Sequence, residues 1–216
     1  MSEVQIWSEV GVDVQTEAAA AKTITGISKA NPAVATAAAH GYASGDIILL
    51  RVKGFSELDW AVVRVANAES GTFELEGVDT SDLETTFVSA TAQEITFGAS
   101  ADTFTDVTPS GGEAEKVAVR TIHRRKDYNL PGNVTPLTYG FGSLWDVTDP
   151  ALIALSKASS KRQVRAVRFR FLDGTIVLFA GMPTTTMAPA GSAGAAVTTP
   201  VSIDVRGELQ AYPGEG

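Results

Sequence analysis

The two histidines, His40 and His123, are the side chains best suited to proton transfer or metal ligation, and they stand about eighty positions apart. Neither has a second ligand at a metal-binding interval. His40-Gly41 reads as a turn. His123 closes a strand beside Arg124-Arg125-Lys126, where neighbouring cations disfavour an imidazolium and a divalent ion alike. Asp79–Glu84 has the carboxylate density of a calcium loop but lacks its glycine-containing twelve-residue pattern, so it reads as a solvated connector. Ser110-Gly111-Gly112 is followed by Glu113 and Glu115, which would repel phosphate. No phosphate loop, nucleophile elbow or dinucleotide glycine pattern occurs. The chain has no cysteine, hence no thiolate nucleophile and no disulfide, which suits a reducing compartment. The expectation is a protein without catalytic residues, cofactor or metal.

Charge says more. The 216 residues carry 17 Lys and Arg against 25 Asp and Glu, a net charge of −8. Residues 117–172 hold ten basic and three acidic residues, whereas the remainder holds seven and twenty-two. An acidic chain is a poor general binder of nucleic acid, because phosphate attraction supplies most non-specific affinity. The same acidity suits a surface past which DNA slides without sticking. The clusters Arg124-Arg125-Lys126 and Lys161-Arg162…Arg165…Arg168…Arg170 admit three readings: a solvated strand face, contact with acidic segments of neighbouring copies (Glu3–Glu17 or Asp102–Glu115), and nucleic-acid binding. Phe169 and Phe171 interleave the second cluster, yet alternation sets them opposite Arg168 and Arg170, which makes them core.

The elements that must position these residues are mostly strands. Hydrophobic residues at 44% and charged residues at 19% indicate a folded chain long enough for one large β domain or two small ones. Val4–Thr16 alternates as a half-buried strand, with a bend or bulge at Gly11, and Glu17–Ala21 reads as a spacer. Short strands follow at Thr23–Ser28, Ala33–Ala38, Asp46–Val52, Trp60–Val65 and Thr72–Glu76. Turn signals such as Asn31-Pro32, Ser44-Gly45 and Ser70-Gly71 separate them, which suggests a small closed or nearly closed barrel. Gln93–Phe97, Thr103–Val107 and Lys116–His123 are further strands, and Asp127–Ser143, with Pro131-Gly132 and Pro136, reads as a long irregular loop.

Asp149-Pro150 starts the one convincing helix: aspartate is a good N-cap, proline suits the first helical position, and Leu152, Leu155 and Ala158 or Ser159 share a face. Val164–Leu172 and Thr175–Gly181 flank Asp173-Gly174, a type I′ hairpin signal. Thr198–Gln210 closes the chain with Val201, Ile203 and Val205 on one face. No signal peptide is expected, since Glu3, Glu9 and Asp13 occupy the region where a basic stretch would stand. Apolar runs such as Ile47–Leu50 are too short to cross a bilayer as a helix, so no membrane contact is expected.

Between Ser110 and Gly207 the turn, cap and strand landmarks fall in a fixed order: Ser110-Gly111-Gly112-Glu113-Ala114-Glu115, Leu130-Pro131-Gly132, Leu144-Trp145-Asp146, Asp149-Pro150-Ala151-Leu152, Asp173-Gly174, then Thr198-Thr199-Pro200-Val201-Ser202-Ile203 and Arg206-Gly207. That order resembles the major tail tube proteins of long-tailed, siphovirus-type bacteriophages. Ile24-Thr25-Gly26-Ile27…Asn31-Pro32…His40-Gly41…Gly45-Asp46 resembles a small β module that recurs in phage tail proteins, with Tyr42 where leucine is usual and Leu58-Asp59-Trp60 where Leu-Asn-Gly is common. The resemblance implies a mainly β fold: a β-sandwich or partial-barrel core (residues 1–22 and 83–216) with one flanking helix, and an inserted small barrel-like domain (23–82). It implies a structural virion protein assembled in the host cytoplasm into hexameric rings stacked as a tail tube, with DNA passing inside. Its partners would be further copies of itself, a tape measure protein, the tail terminator and the tail tip. Candidate subunit or ring contacts are Glu3, Glu9, Asp13, Arg124, Arg125, Lys126, Leu130, Trp145, Arg165, Arg168 and Arg170. The competing reading is a tail-tip or surface protein whose inserted domain binds a host receptor or glycan, with Trp60 and Tyr42 as stacking platforms.

Overall fold

The computed structural model describes residues 7–123 and 125–214. Their first strand is β1 (Gly11–Ala18). Six short strands follow: β2 (Lys22–Ile24), β3 (Gly26–Ile27), β4 (Ala33–Thr36), β5 (Ile47–Lys53), β6 (Val62–Ala66) and β7 (Thr72–Leu75). Then come β8 (Ser89–Ala101), β9 (Phe104–Ser110), β10 (Ala114–Val119), β11 (Tyr128–Val134) and β12 (Thr138–Leu144). Helix α1 (Pro150–Ser160), β13 (Arg165–Arg170), β14 (Ile176–Thr184) and β15 (Thr198–Tyr212) complete the chain. One curled antiparallel sheet runs β3-β4-β7-β6-β5-β8-β1-β13-β14-β15-β12-β9, β2 adds to β8, and β10–β11 form a separate ribbon. The mainly β architecture with one helix is the one the sequence implies.

Thirteen-residue β8 explains how two cores share a sheet. Its first half pairs with β2 and β5, and its second half pairs with β1. Ile24, Ile48, Leu50, Phe55, Phe73 and Leu75 fill the smaller core. Val14, Phe141, Leu152, Leu155, Phe169 and Phe179 fill the larger one, under the curl of the sheet. Leu49, Val62, Ile95, Leu178, Ala180 and Tyr212 bury the junction between them. The run Ile47-Ile48-Leu49-Leu50 therefore has no polar face, because β5 is covered on both sides. Tyr42 is buried edge-on to Phe73 at 5.3 Å, and its hydroxyl donates to the Ala92 carbonyl on β8 at 2.9 Å. Burial, with the Glu94 and Asp46 carboxylates, pushes its phenol up to about 12.

The Asp149 carboxylate accepts the Leu152 N–H at 2.9 Å and caps α1. It also accepts from the Asp102 N–H and the Thr103 hydroxyl, so the cap ties the helix to the β8–β9 turn. Ala151, Leu152, Leu155 and Ala158 are the buried helix face.

Several local expectations change. Asp127–Ser143 is no irregular loop: β11 and β12 occupy most of it. Pro131 and Gly132 mask the strand because β11 is one half of an isolated ribbon, where a missing N–H is tolerated. β10 ends at Val119, and His123 lies in the turn beyond it. Strand β1 bulges near Gln15, not at Gly11, and continues to Ala18 in place of a spacer. Val4–Ile6 lies outside the described residues. Of the Leu172-Asp173-Gly174 loop only Gly174 has positive φ, +83°, and its N–H bonds the Phe171 carbonyl. That is a type I turn followed by a left-handed glycine, not type I′, which needs two consecutive positive φ values. The Asp173 carboxylate instead accepts from the Thr175 N–H and hydroxyl.

Candidate assembly surfaces

Period-two alternation sends Tyr139, Phe141, Val201, Ile203 and Phe179 into the larger core, and their neighbours outward. Register then assembles those neighbours into rows across β9, β12, β15 and β14: Ser110-Thr138-Asp204-Met182, Thr108-Gly140-Ser202-Thr184, and Asp106-Gly142-Pro200. The second and third rows floor a shallow trough of about 530 Å³, lined also by Phe141, Val201, Thr185 and Thr186, in which Asp106 is the one charged lining residue; the row of Asp204 and Met182 lies beside it. Gly142 lets the Asp106 side chain fold across the floor. Its N–H donates to Asp106, and a Cβ there would stand 2.1 Å from the Asp106 carboxylate. Asp204 accepts from the Thr138 hydroxyl at 2.9 Å. β9 borders the trough as the last strand of the sheet, with its outer edge unpaired among the described residues.

From the Ser110–Thr138 end of this sheet the β10–β11 ribbon leaves as an arm. Its residues join none of the three apolar cores. Val117 and Leu130, directly opposite each other, are both about half-exposed, and Ile122 at the tip is 96% exposed. A lone two-stranded ribbon is marginal in water. At the other end of β12 stands a second exposed apolar group, Leu144, Trp145, Val147 and Val197. It is held in place by the Trp145 indole, which donates to the Met187 carbonyl at 2.8 Å.

A third feature lies on the sheet face opposite α1. The buried Asp13 carboxylate accepts from Arg168 at 2.9 Å and from Arg170 at 2.6 and 3.0 Å. The Arg168 guanidinium also lies 4.6 Å from the Phe97 ring centre. Burial pushes the Asp13 carboxyl up, but hydrogen bonds from Arg170 and Arg168 and their charges outweigh it, and the net shift is downward. The same bond raises Arg170. A depressed folded pKa contributes stability above the unfolded value of about 3.9 and loses it as pH falls through the folded value. Acidification below about pH 4 is therefore expected to lower the melting temperature partly through Asp13. Asp13→Asn is expected to cost about 1–3 kcal/mol at neutral pH, since both arginines are partly solvated, and to flatten the acid limb of a melting-temperature profile. An unchanged acid limb in the variant would refute this role.

The remaining candidates fall as follows. Glu3 and Arg124 lie outside the described residues. Glu9 is exposed at a positive-φ turn before β1. Arg125 and Lys126 are exposed beyond the end of β10, and Arg165 is half-buried with its guanidinium on Gln163. Asp13, Arg168 and Arg170 come together within one chain, whereas Leu130 and Trp145 stand at opposite ends of β12 and its arm. Trp60 lies under the Arg51 guanidinium at 3.6 Å and packs at the junction, and Tyr42 is core. His40 spends both ring nitrogens, on the Glu69 carbonyl and the Tyr42 N–H. Asp106 and Asp204 escape the sequence reading. Their signal is the polar half of the alternation around Val107, Val201, Ile203 and Val205, which means little until the strand order is known. Among the described residues no group of acidic or histidine side chains could hold a metal, and no helix is long and apolar enough to cross a membrane.

The family model for phage tail tube proteins matches residues 53–214, from the end of β5 to the end of the last strand. No curated protein matches the chain.

Proposed function

Because the chain belongs to the phage tail tube protein family, a structural and non-enzymatic component of the virion tail, we propose that it assembles into hexameric rings stacked as a tube that conducts DNA, with the β9–β12–β15–β14 trough facing the lumen. The observation that carries this reading is the pairing of a free strand edge with a cation-free trough on the same sheet. Open edges invite strand addition, and a head-to-tail contact that closes gives a ring. β9 of one copy would add to the opposite border of the next, at Met182–Thr184, which lies past the outermost β13 pairing, Arg165 opposite Gly181. Repeated around a ring, Asp106 and Asp204 would present carboxylates to passing phosphates and repel them, over a floor too smooth to catch a base.

Stacking is assigned to the arm. Val117, Leu130 and Ile122 at one end of the sheet would cover Leu144, Trp145 and Val197 at the other end of a copy in the next ring. A non-closing contact of this head-to-tail kind propagates a filament. Residues 23–82 would ride outside as a decorating domain. The tape measure protein, terminator and tip are the expected partners, and the host cytoplasm the expected place of assembly.

Electron microscopy of concentrated pure protein tests the core of the reading: rings or regular tubes support it, and monomers at every concentration refute it. The lumen assignment has its own test. Asp106→Lys with Asp204→Lys is expected to leave tube formation intact and slow genome ejection from assembled particles several-fold. Unaltered ejection kinetics would remove the trough from the lumen.

A further inference from the structure

Lys157 of α1, Arg162 of the turn after it, Arg165 of β13 and Arg206 of β15 form no ion pair among the described residues, whereas Arg51, Arg64, Arg120, Arg168 and Arg170 all do. Two clefts that adjoin at Gln15 and Arg165 collect them. One, about 390 Å³, lies between α1 and β1–β8 and includes Lys157. The other, about 590 Å³, lies where the small barrel meets the large core and includes Arg162, Arg206 and Trp60. Neither has an acidic residue among its lining residues. Three arginines on one groove, with Lys157 in the cleft that adjoins it and no acidic lining residue in either, in a chain of net charge −8, call for an anionic occupant from elsewhere.

The chain itself carries a matching segment. Asp79–Glu84 holds Asp79, Asp82 and Glu84 on an exposed loop, and Asp82 and Glu84 form no ion pair among the described residues. The loop is preformed: Thr80 donates to Ser28, Ser81 donates to Asp79, and the Lys29 ammonium holds the Leu83 carbonyl at 2.6 Å. A preordered loop loses little entropy on binding. Among the other acidic residues, Asp13, Asp59, Glu76 and Asp127 pair with arginines of the same chain. The loop does not line the groove of its own chain. We infer that the arginine-lined groove between barrel and core receives the Asp79–Glu84 loop of a second copy, which makes the small barrel a lateral clamp between subunits. The inference rests on the ring reading above but is tested apart from it.

A chain without cysteine allows clean trapping. Gln163→Cys, at the groove, is mixed with Ser81→Cys, on the loop, and oxidised mildly. A disulfide-linked heterodimer is expected on a denaturing gel, its yield falling roughly tenfold or more when the first chain also carries Arg162→Glu and Arg206→Glu. Absence of the heterodimer from preparations that form tubes would overturn the clamp and leave the tube reading standing. Heterodimer without rings or tubes would sustain the clamp and sink the tube. Yield indifferent to the charge reversal would overturn the clamp as well.

Discussion

Replacing residues 113–134 with Asn-Gly is expected to yield a folded chain that no longer forms tubes. The cut is clean because the Gly112 N–H already bonds the Thr135 carbonyl, and Asn-Gly is a preferred two-residue turn between paired strands. β9 and β12 stay in register from Ser110–Thr138 onward, and no buried core residue is lost. The melting temperature should therefore move by only a few degrees. Assembly is another matter. Val117, Ile122 and Leu130 are each worth about 1.5–3 kcal/mol when fully buried, and the arm exposes all three in the isolated chain. Their removal from every copy should drop tube yield below detection in negative-stain images, even if single rings survive. Tubes of ordinary length from the truncated chain would assign stacking to some other surface. Trp145→Ala offers the reciprocal check, since its indole stands at the far end of β12, the end proposed above to receive the arm of a copy in the next ring.

What could be read from the residues was the local part. Asp149-Pro150 marks a helix start because cap and proline act within one turn, and the strands from Thr23 to Glu76 show because turn residues punctuate them. The arm was illegible because alternation signals one buried face, and β10–β11 buries neither. Glycine and proline in such a ribbon look like a loop. The Asp13–Arg168–Arg170 cluster was illegible for another reason. Its members are some 155 positions apart, and only the β1–β13 pairing sets Asp13 opposite Arg168. Charge counting finds the cationic strand and offers Glu3–Glu17 of a neighbouring copy as one of its partners, whereas Arg168 and Arg170 bind Asp13 of the same chain. The trough falls between these cases: the sequence shows which residues alternate, while strand order decides that three polar sets share one face.

At the seam between the two cores, Gly207→Val is expected to be strongly destabilising. Gly207 has φ +71° within β15, at a bulge where Arg206–Gln210 oppose only Leu178–Ala180. A Cβ there would lie 2.8 Å from the Asp59 carbonyl oxygen and 2.9 Å from the Trp60 carbonyl carbon. Neither can yield cheaply. The Asp59 carboxylate holds the Val52 N–H and Arg51, Arg51 covers the Trp60 ring, and Trp60 itself has φ +67°. Left-handed backbone costs an ordinary side chain about 1–2 kcal/mol, and a β-branched one more. Pushing the Asp59–Trp60 loop away would also open the junction that buries Leu49, Val62, Leu178 and Tyr212. A total of about 3–5 kcal/mol follows from strain plus lost packing. For a chain of this size that is a fall in melting temperature of roughly 6–20 °C. Gly26→Ala supplies the control, because its φ is not left-handed and no atom stands within 4 Å of the added carbon. A Gly207→Val protein melting alongside the control would mean that the two cores are not locked at this seam. The smaller core would then be free to swing, and a lateral clamp built on the Asp79–Glu84 loop would have no rigid base.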